Sequence, residues 1–128
     1  MTASRPWLAP RVLDRALGLF SGELAELVAL EDTLAAFTEQ LATAPIDDRD
    51  ESAATREYVA RLGAAGLLAH VIPQRWGGAS PQLRTVALCI VRQWLARHSG
   101  VLDSAFVMQG LGGNPITVGG NDELRARV

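Results

Sequence analysis

Residues 83–97 read LRTVALCIVRQWLAR, and this stretch decides the fold class. Its apolar side chains recur at intervals of three and four residues, and its arginines and glutamine fall largely between them. This period is typical of an amphipathic α-helix, and it predicts that Trp94 is buried in the core. Ser80 followed by Pro81 predicts the start of the helix, and Gly100 predicts its end. The apolar stripe consists of Leu83, Val86, Ala87, Ile90, Val91, Trp94 and Leu95.

Two further amphipathic helices are predicted ahead of this stretch. The first covers residues 23–41, with Ser21 as its N-terminal cap and Pro45 just beyond its end. The second begins after Ser52, and Gly66 offers a left-handed stop at its C-terminus. In both segments the large apolar residues share one face of the helix.

The chain between the second and third helices is predicted to extend and then to turn. Pro73 disfavours helix at Ile72, the residue before it, so residues 67–72 are expected to be extended. Residues 76–78 read WGG, and the glycine pair predicts a tight turn with positive φ.

Shorter helices are predicted after the third one. Residues 101–109 should form a short helix that Gly110 breaks. Residues 114–115 read NP, which repeats the pattern of a cap followed by proline and predicts a new start. A glycine pair at 119–120 separates that helix from a last one beginning at residues 121–123, NDE.

Together these patterns predict an all-α protein, a bundle of five or six helices with no sheet. Residues 1–22 are assigned to an N-terminal extension, and residues 23–128 to one helical domain of a size that a single core supports. The last predicted helix is cut at Val128, which we interpret as a truncation point.

The composition argues against several partners. Twelve basic side chains, all of them arginine, stand against fourteen acidic ones, and the net charge is -2. Without a dense positive face, the chain is not expected to bind nucleic acid. No stretch approaches the roughly 18 uncharged apolar residues of a membrane span, so no membrane contact is expected. The single cysteine fits a reducing compartment, and the chain is predicted to be cytoplasmic.

The remaining reactive residues are predicted to have structural roles. Cys89 lies among apolar helical positions and is expected in the core. The acidic residues 46–51, IDDRDE, are interpreted as a solvated loop, and His70 as a packing or surface residue. Residues 110–115 are glycine-rich, but Pro115 stands where a dinucleotide-binding loop needs its third glycine. No catalytic, cofactor-binding or metal-binding residue is therefore expected in this chain.

Two segments resemble the acyl-CoA dehydrogenase family. Residues 62–78 read LGAAGLLAHVIPQRWGG, which is similar to the family's helix end, extended run, proline, aromatic residue and glycine pair. Further along, the chain has the family's LAR at 95–97, a leucine and a Pro-Ile pair at 111 and 115–116, and GNDE at 120–123. It departs from the family at residues 93–94, where acids are usual, and at Arg75. The matching residues of the first segment are Leu62, Gly66, Leu67, Pro73, Trp76, Gly77 and Gly78.

The resemblance implies a function for a complete enzyme, namely α,β-dehydrogenation of an acyl-CoA or other acyl thioester with FAD as hydride acceptor. It implies that this domain forms a wall of the acyl pocket, with Asp103, Val107, Gly110 and Leu111 near the acyl chain. Electron-transfer flavoprotein and a homo-oligomer are the partners that it implies. The family's flavin-binding segment and catalytic base lie beyond the positions covered here, so these 128 residues alone are expected to be inactive.

Two alternatives remain open at this stage. The chain is either part of such an enzyme, or a non-catalytic helical interaction module or enzyme remnant, which would bind a protein through an apolar face. If it is part of an enzyme, the substrate is either a CoA thioester or a thioester on a carrier protein.

Overall fold

A computed structural model describes residues 24–127, which form five α-helices and two short 3-10 helices without any β-strand. This confirms the predicted all-α bundle for that part of the chain. The predicted cap Ser21 and the assigned N-terminal extension lie outside the described residues. The α-helices are α1 (Leu24–Thr43), α2 (Glu51–Ala64), α3 (Thr85–His98), α4 (Gly100–Gly119) and α5 (Asp122–Arg127). The 3-10 helices cover Leu67–Val71 and Gln74–Trp76.

One hydrophobic core joins α1 to α4 and the first 3-10 helix. α3 packs against both α1 and α4, α2 packs against α4, and the first 3-10 helix packs against α2, α3 and α4. Fully burying one large aliphatic side chain of this kind contributes about 1.5–3 kcal/mol. The core side chains are Leu27, Leu30, Leu34, Phe37, Leu41, Ala54, Tyr58, Leu62, Leu67, Val71, Ala87, Ile90, Val91, Leu95, Leu102, Ala105 and Phe106.

Two predictions about α3 side chains need correction. Trp94 is only half-buried and packs against the margin of the core, because a side chain of this size seldom fits wholly beneath the surface. Cys89 is exposed rather than buried. It lies two residues from Ala87 and Val91, and two residues correspond to about 200° around a helix, so Cys89 faces away from the buried stripe.

α2 is capped by an aspartate and begins before Ser52, where the start was predicted to follow Ser52. The helix begins at Glu51, and the Asp50 side chain accepts a hydrogen bond from the Ala53 backbone N–H at 3.0 Å. Ser52 therefore lies inside the first turn instead of preceding it. The predicted left-handed stop at Gly66 is confirmed, with φ of 73°.

The segment after α2 is helical where extension was predicted. Residues Leu67–Val71 form a 3-10 helix, because the bundle offers no neighbouring strand and their backbone groups bond locally. Extension begins only at Ile72, where Pro73 requires it.

The turn at residues 76–78 follows the prediction. Gly77 has φ of 97°. A Cβ placed on Gly78 would lie 1.7 Å from the Ile72 carbonyl oxygen, so no side chain fits at that position. Both glycines are therefore required by the backbone.

The predicted start of α3 at residues 80–81 is wrong. The Ser80 carbonyl accepts the Gln74 backbone N–H at 2.7 Å, and the Ala79 N–H donates to the Ala69 carbonyl at 2.7 Å. These bonds tie the segment to the preceding loop, so Ser80 does not cap a helix. α3 begins at Thr85, after Arg84.

α4 is one continuous helix of 20 residues where two short helices were predicted. Gly100 opens α4 instead of closing α3, and Gly110 does not break the helix. Pro115 lies inside α4 rather than at the start of a new helix. The predicted boundary at residues 119–120 is confirmed, and α5 begins beyond Asn121, whose Oδ1 accepts the Leu124 N–H at 2.8 Å.

A single residue, Ser99, separates α3 from α4. Its backbone N–H donates to the Leu95 carbonyl at the end of α3. Its Oγ accepts hydrogen bonds from the Val101 and Leu102 N–H groups at the start of α4. One side chain and its own backbone therefore terminate one helix and cap the next.

The acidic loop before α2 was predicted to be solvated throughout, but only part of it is. Asp47 and Arg49 are exposed and pair with each other. Asp48 is half-buried, and its carboxylate accepts hydrogen bonds from the Tyr58 hydroxyl at 2.7 Å and the Ser99 hydroxyl at 2.5 Å. Burial of Tyr58 raises the pKa of its hydroxyl, and the hydrogen bond to Asp48 raises it further. Asp48 thus connects the loop to α2 and to the α3–α4 joint.

Candidate functional site

A groove of about 230 Å³ lies between α3, α4 and the first 3-10 helix. Its walls are apolar apart from one arginine and one asparagine. An apolar groove with few polar groups is typical of small-molecule sites, although this volume is below the roughly 300–1,000 Å³ of a complete pocket. The groove is lined by Val71, Leu83, Leu88, Arg92, Phe106, Val107, Gly110, Leu111 and Asn114.

Three of the four residues implied by the family resemblance lie on this groove. Val107, Gly110 and Leu111 line it from α4, and Leu111 is 61% exposed. Asp103 does not line the groove but contacts Arg92, which does. The four residues therefore lie in one neighbourhood.

Gly110 brings α4 close to the first 3-10 helix. A Cβ added at this position would lie 3.4 Å from Val71 Cγ1 and 3.5 Å from Val71 Cβ. These distances are tight for carbon atoms, so a larger side chain at 110 would push against Val71 or occupy the groove. The absence of a side chain therefore leaves part of the groove open.

Arg92 and Asp103 form an ion pair between α3 and α4. Arg92 Nε lies 3.0 Å from Asp103 Oδ1, and Arg92 Nη2 lies 2.7 Å from Oδ2. The hydrogen bonds to Asp103 raise the pKa of Arg92. The side chain of Asp103 is 15% exposed and that of Arg92 is 49% exposed, so the pair presents mainly its guanidinium to solvent.

Sequence reasoning missed Arg92 as a groove residue because it treated this arginine as part of the polar face of α3. Arg92 and Asp103 belong to different helices, and no periodic pattern connects them. Val71, Leu83 and Leu88 were recognised as apolar but not as neighbours of α4. Only the packing of three separate elements brings these side chains together.

His70 lies beside the groove, on the same 3-10 helix as Val71, but does not line it. Burial lowers the pKa of His70, and the nearby positive charge of Arg84 lowers it further. Both causes favour the neutral imidazole. No group of three or more possible metal-ligating side chains occurs within residues 24–127.

A larger cleft of about 690 Å³ lies between the C-terminal parts of α1 and α2. Its one charged lining residue, Arg61, is engaged by the Glu57 carboxylate at 2.8 Å and the Ala44 carbonyl at 2.7 Å. This cleft contains none of the four residues implied by the resemblance, so the smaller groove is the better candidate site.

The glycine-rich residues 110–115 do not form a phosphate-binding loop. Residues 110–115 are helical, so most of their backbone N–H groups are used within α4. A phosphate cradle instead needs free N–H groups, such as those at a helix N-terminus after a strand. No helix in the described part of the chain is long and apolar enough to cross a membrane.

A family model described as the acyl-CoA dehydrogenase N-terminal domain matches residues 25–128. The search of curated proteins found no match.

Proposed function

Since the chain belongs to the acyl-CoA dehydrogenase family through the N-terminal domain matched over residues 25–128, we propose that it forms one wall of an acyl-binding pocket. The substrate would be an acyl-CoA thioester. The complete enzyme would remove one hydrogen from each of the α and β carbons of the acyl group.

The observation that carries this proposal is the position of Val107, Gly110 and Leu111 on one apolar groove. An acyl chain gains affinity from burial of its apolar surface, at about 25 cal/mol per Å². The groove offers such a surface, and Gly110 leaves space along it. Asp103 would act indirectly, by fixing Arg92 at the groove.

The remaining parts of the reaction would come from other segments of a complete enzyme. FAD would accept hydride when bound there, and a carboxylate outside residues 24–127 would remove the α-proton. Electron-transfer flavoprotein as the acceptor, a homo-oligomeric assembly and a cytoplasmic location also belong to this proposal. Residues 1–22 would form an extension to the domain that begins at residue 23.

The experiment uses an enzyme that carries this domain together with the family's flavin-binding and C-terminal domains. Gly110→Leu should lower kcat/KM at least tenfold for acyl-CoA thioesters whose chains reach the groove, and little for the shortest chains. The matched control is Gly119→Leu in the same helix, where an added Cβ meets nothing within 4 Å. Equal loss for all chain lengths, or equal effects of the two variants, would contradict the proposal.

A second candidate, a helical module that binds another protein, is favoured by one observation. Four large apolar side chains on α4 and α5 are exposed: Met108 by 58%, Leu111 by 61%, Val118 by 74% and Leu124 by 40%. A partner would cover such a surface. The thioester carrier is a separate question, which the same assay answers by comparing CoA thioesters with carrier-protein thioesters.

A further inference from the structure

The second half of α4 is rich in residues that disfavour helix. Gly112, Gly113 and Pro115 follow Gly110 within six positions. Glycine and proline are the two residues least compatible with a helix interior. Pro115 has no N–H, so the Leu111 carbonyl lacks its partner in the helical ladder, and Asn114 is disfavoured as helix because it precedes proline.

Packing holds the first half of α4 much more firmly than the second. The buried residues of α4 are Leu102, Ala105 and Phe106, all before Gly110. None of the described side chains after Gly110 is buried, including those of α5. α5 packs against α4, so residues 116–127, which we call the distal arm, depend on the end of α4 for their attachment.

Arg125 connects α5 to the end of α4 within the distal arm. Its guanidinium lies 3.0 Å from Asp122 Oδ1 within α5. It also donates to the carbonyls of Ile116 at 3.4 Å and Val118 at 3.5 Å, at the end of α4. A cationic side chain at the last carbonyls of a helix is a favourable cap. Movement of the end of α4 would therefore take α5 with it.

Packing explains the glycines at positions 110 and 113 but not the one at position 112. Added Cβ atoms at Gly110 and Gly113 would contact Val71 at 3.4 Å and Ile72 at 3.9 Å, so both glycines face the first 3-10 helix or its end. An added Cβ at Gly112 would meet nothing within 4 Å. Neither space nor a positive φ requires glycine at position 112.

We propose that residues 112–115 are a hinge at which α4 opens, so that the distal arm pivots relative to the helical bundle. The weak helical preference of these four residues sets the position of the opening, and the unburied arm offers little resistance to it. Leu111 and Asn114 line the groove on either side of Gly112, so opening changes its width. The consequence for acyl binding rests on the proposed function, whereas the hinge itself does not.

Hydrogen exchange of backbone amides in the 128-residue chain, without ligand, tests the hinge. We expect the amides of residues 113–119, other than Pro115, to exchange faster than those of residues 102–109, by local opening. Gly112→Ala should slow exchange of the first group about fivefold, the factor equivalent to the helix-propensity difference of about 1 kcal/mol between these residues. Exchange of the amides of residues 102–109 should not change.

The matched control is Gly100→Ala, the same substitution at the other end of α4, where an added Cβ also meets nothing within 4 Å. It should leave exchange of residues 113–119 unchanged. Equal exchange in both halves of α4 would overturn the proposal. So would a Gly112→Ala variant that slows both halves alike, or neither, because α4 would then open as a whole or not at this point.

Discussion

Replacing Asp48 with alanine should destabilise the bundle although Asp48 lies in a loop. The substitution removes the acceptor for two hydroxyl groups, those of Tyr58 and Ser99. Tyr58 is only 2% exposed, so its hydroxyl would lose its partner in a buried setting. Hydrogen bonds to a charged group contribute about 1.5–3 kcal/mol each, and Ser99 retains its bonds to α4. We expect a loss of about 2–4 kcal/mol in the free energy of unfolding.

The measurement is urea denaturation followed by far-ultraviolet circular dichroism, with comparison of midpoints at a constant slope. Asp47→Ala is the matched control, since Asp47 is the neighbouring carboxylate and its partner is Arg49, whose side chain is 90% exposed. This control should not move the midpoint measurably. Tyr58→Phe added to Asp48→Ala should cost less than Tyr58→Phe alone, because both changes break the same hydrogen bond. If Asp48→Ala and Asp47→Ala have the same midpoint, Asp48 does not hold these helices together.

Three further predictions follow from burial and from the parts that the chain contains. Leu95→Ala should lower the free energy of unfolding by about 2–5 kcal/mol, because Leu95 is 0% exposed. Trp94→Ala should lower it by about 1–3 kcal/mol, because Trp94 is half-buried and its indole Nε1 lacks a partner within residues 24–127. A larger loss for Trp94→Ala in urea unfolding would contradict this order. Burial lowers the pKa of His70 in the folded chain, so the unfolded chain binds the proton more tightly and stability should fall as the pH falls below about 6.5. His70→Gln should flatten that part of the stability profile, and an unchanged profile would show that other groups cause it. The 128-residue chain should purify without yellow colour and retain no added FAD on gel filtration, and stoichiometric flavin absorbance in the protein peak would refute this.

The helices of the core could be predicted because their apolar periods are long and regular. α1, α2 and α3 all contain such stripes, and Gly66 and Gly77 stop or turn the chain where positive φ is required. Local cap patterns were less reliable. Ser80 precedes a proline, yet its carbonyl accepts a hydrogen bond from Gln74 in the second 3-10 helix, and α3 begins only at Thr85.

The continuity of α4 could not be predicted for a related reason. Glycine and proline indicate a break when only local preference is considered. In the folded chain, the close approach of Gly110 to Val71 favours glycine within the helix, so Gly110 does not end α4. The same approach forms one side of the groove.

The groove was predictable in part. Leu111 belongs to a motif that resembles the family, the resemblance also implies Val107 and Gly110, and the three residues lie on the groove as a group. Arg92 carries no such motif, and its bond to Asp103 depends on the angle between two helices. The contact between Asp48 and Ser99, which are 51 positions apart, likewise depends on how separate elements pack and matches no sequence motif.

The joint at Ser99 leaves this domain almost no tolerance for insertion or deletion there. Each residue added to a helix turns whatever follows by about 100°. One extra residue between α3 and α4 would require that turn to be absorbed in a joint that has no loop. Phe106 would otherwise rotate out of the core, and Val107 and Leu111 would leave the groove with it. A substitution at this joint would change the free energy of unfolding by a graded amount. A change in its length would instead alter which face of α4 packs against the bundle.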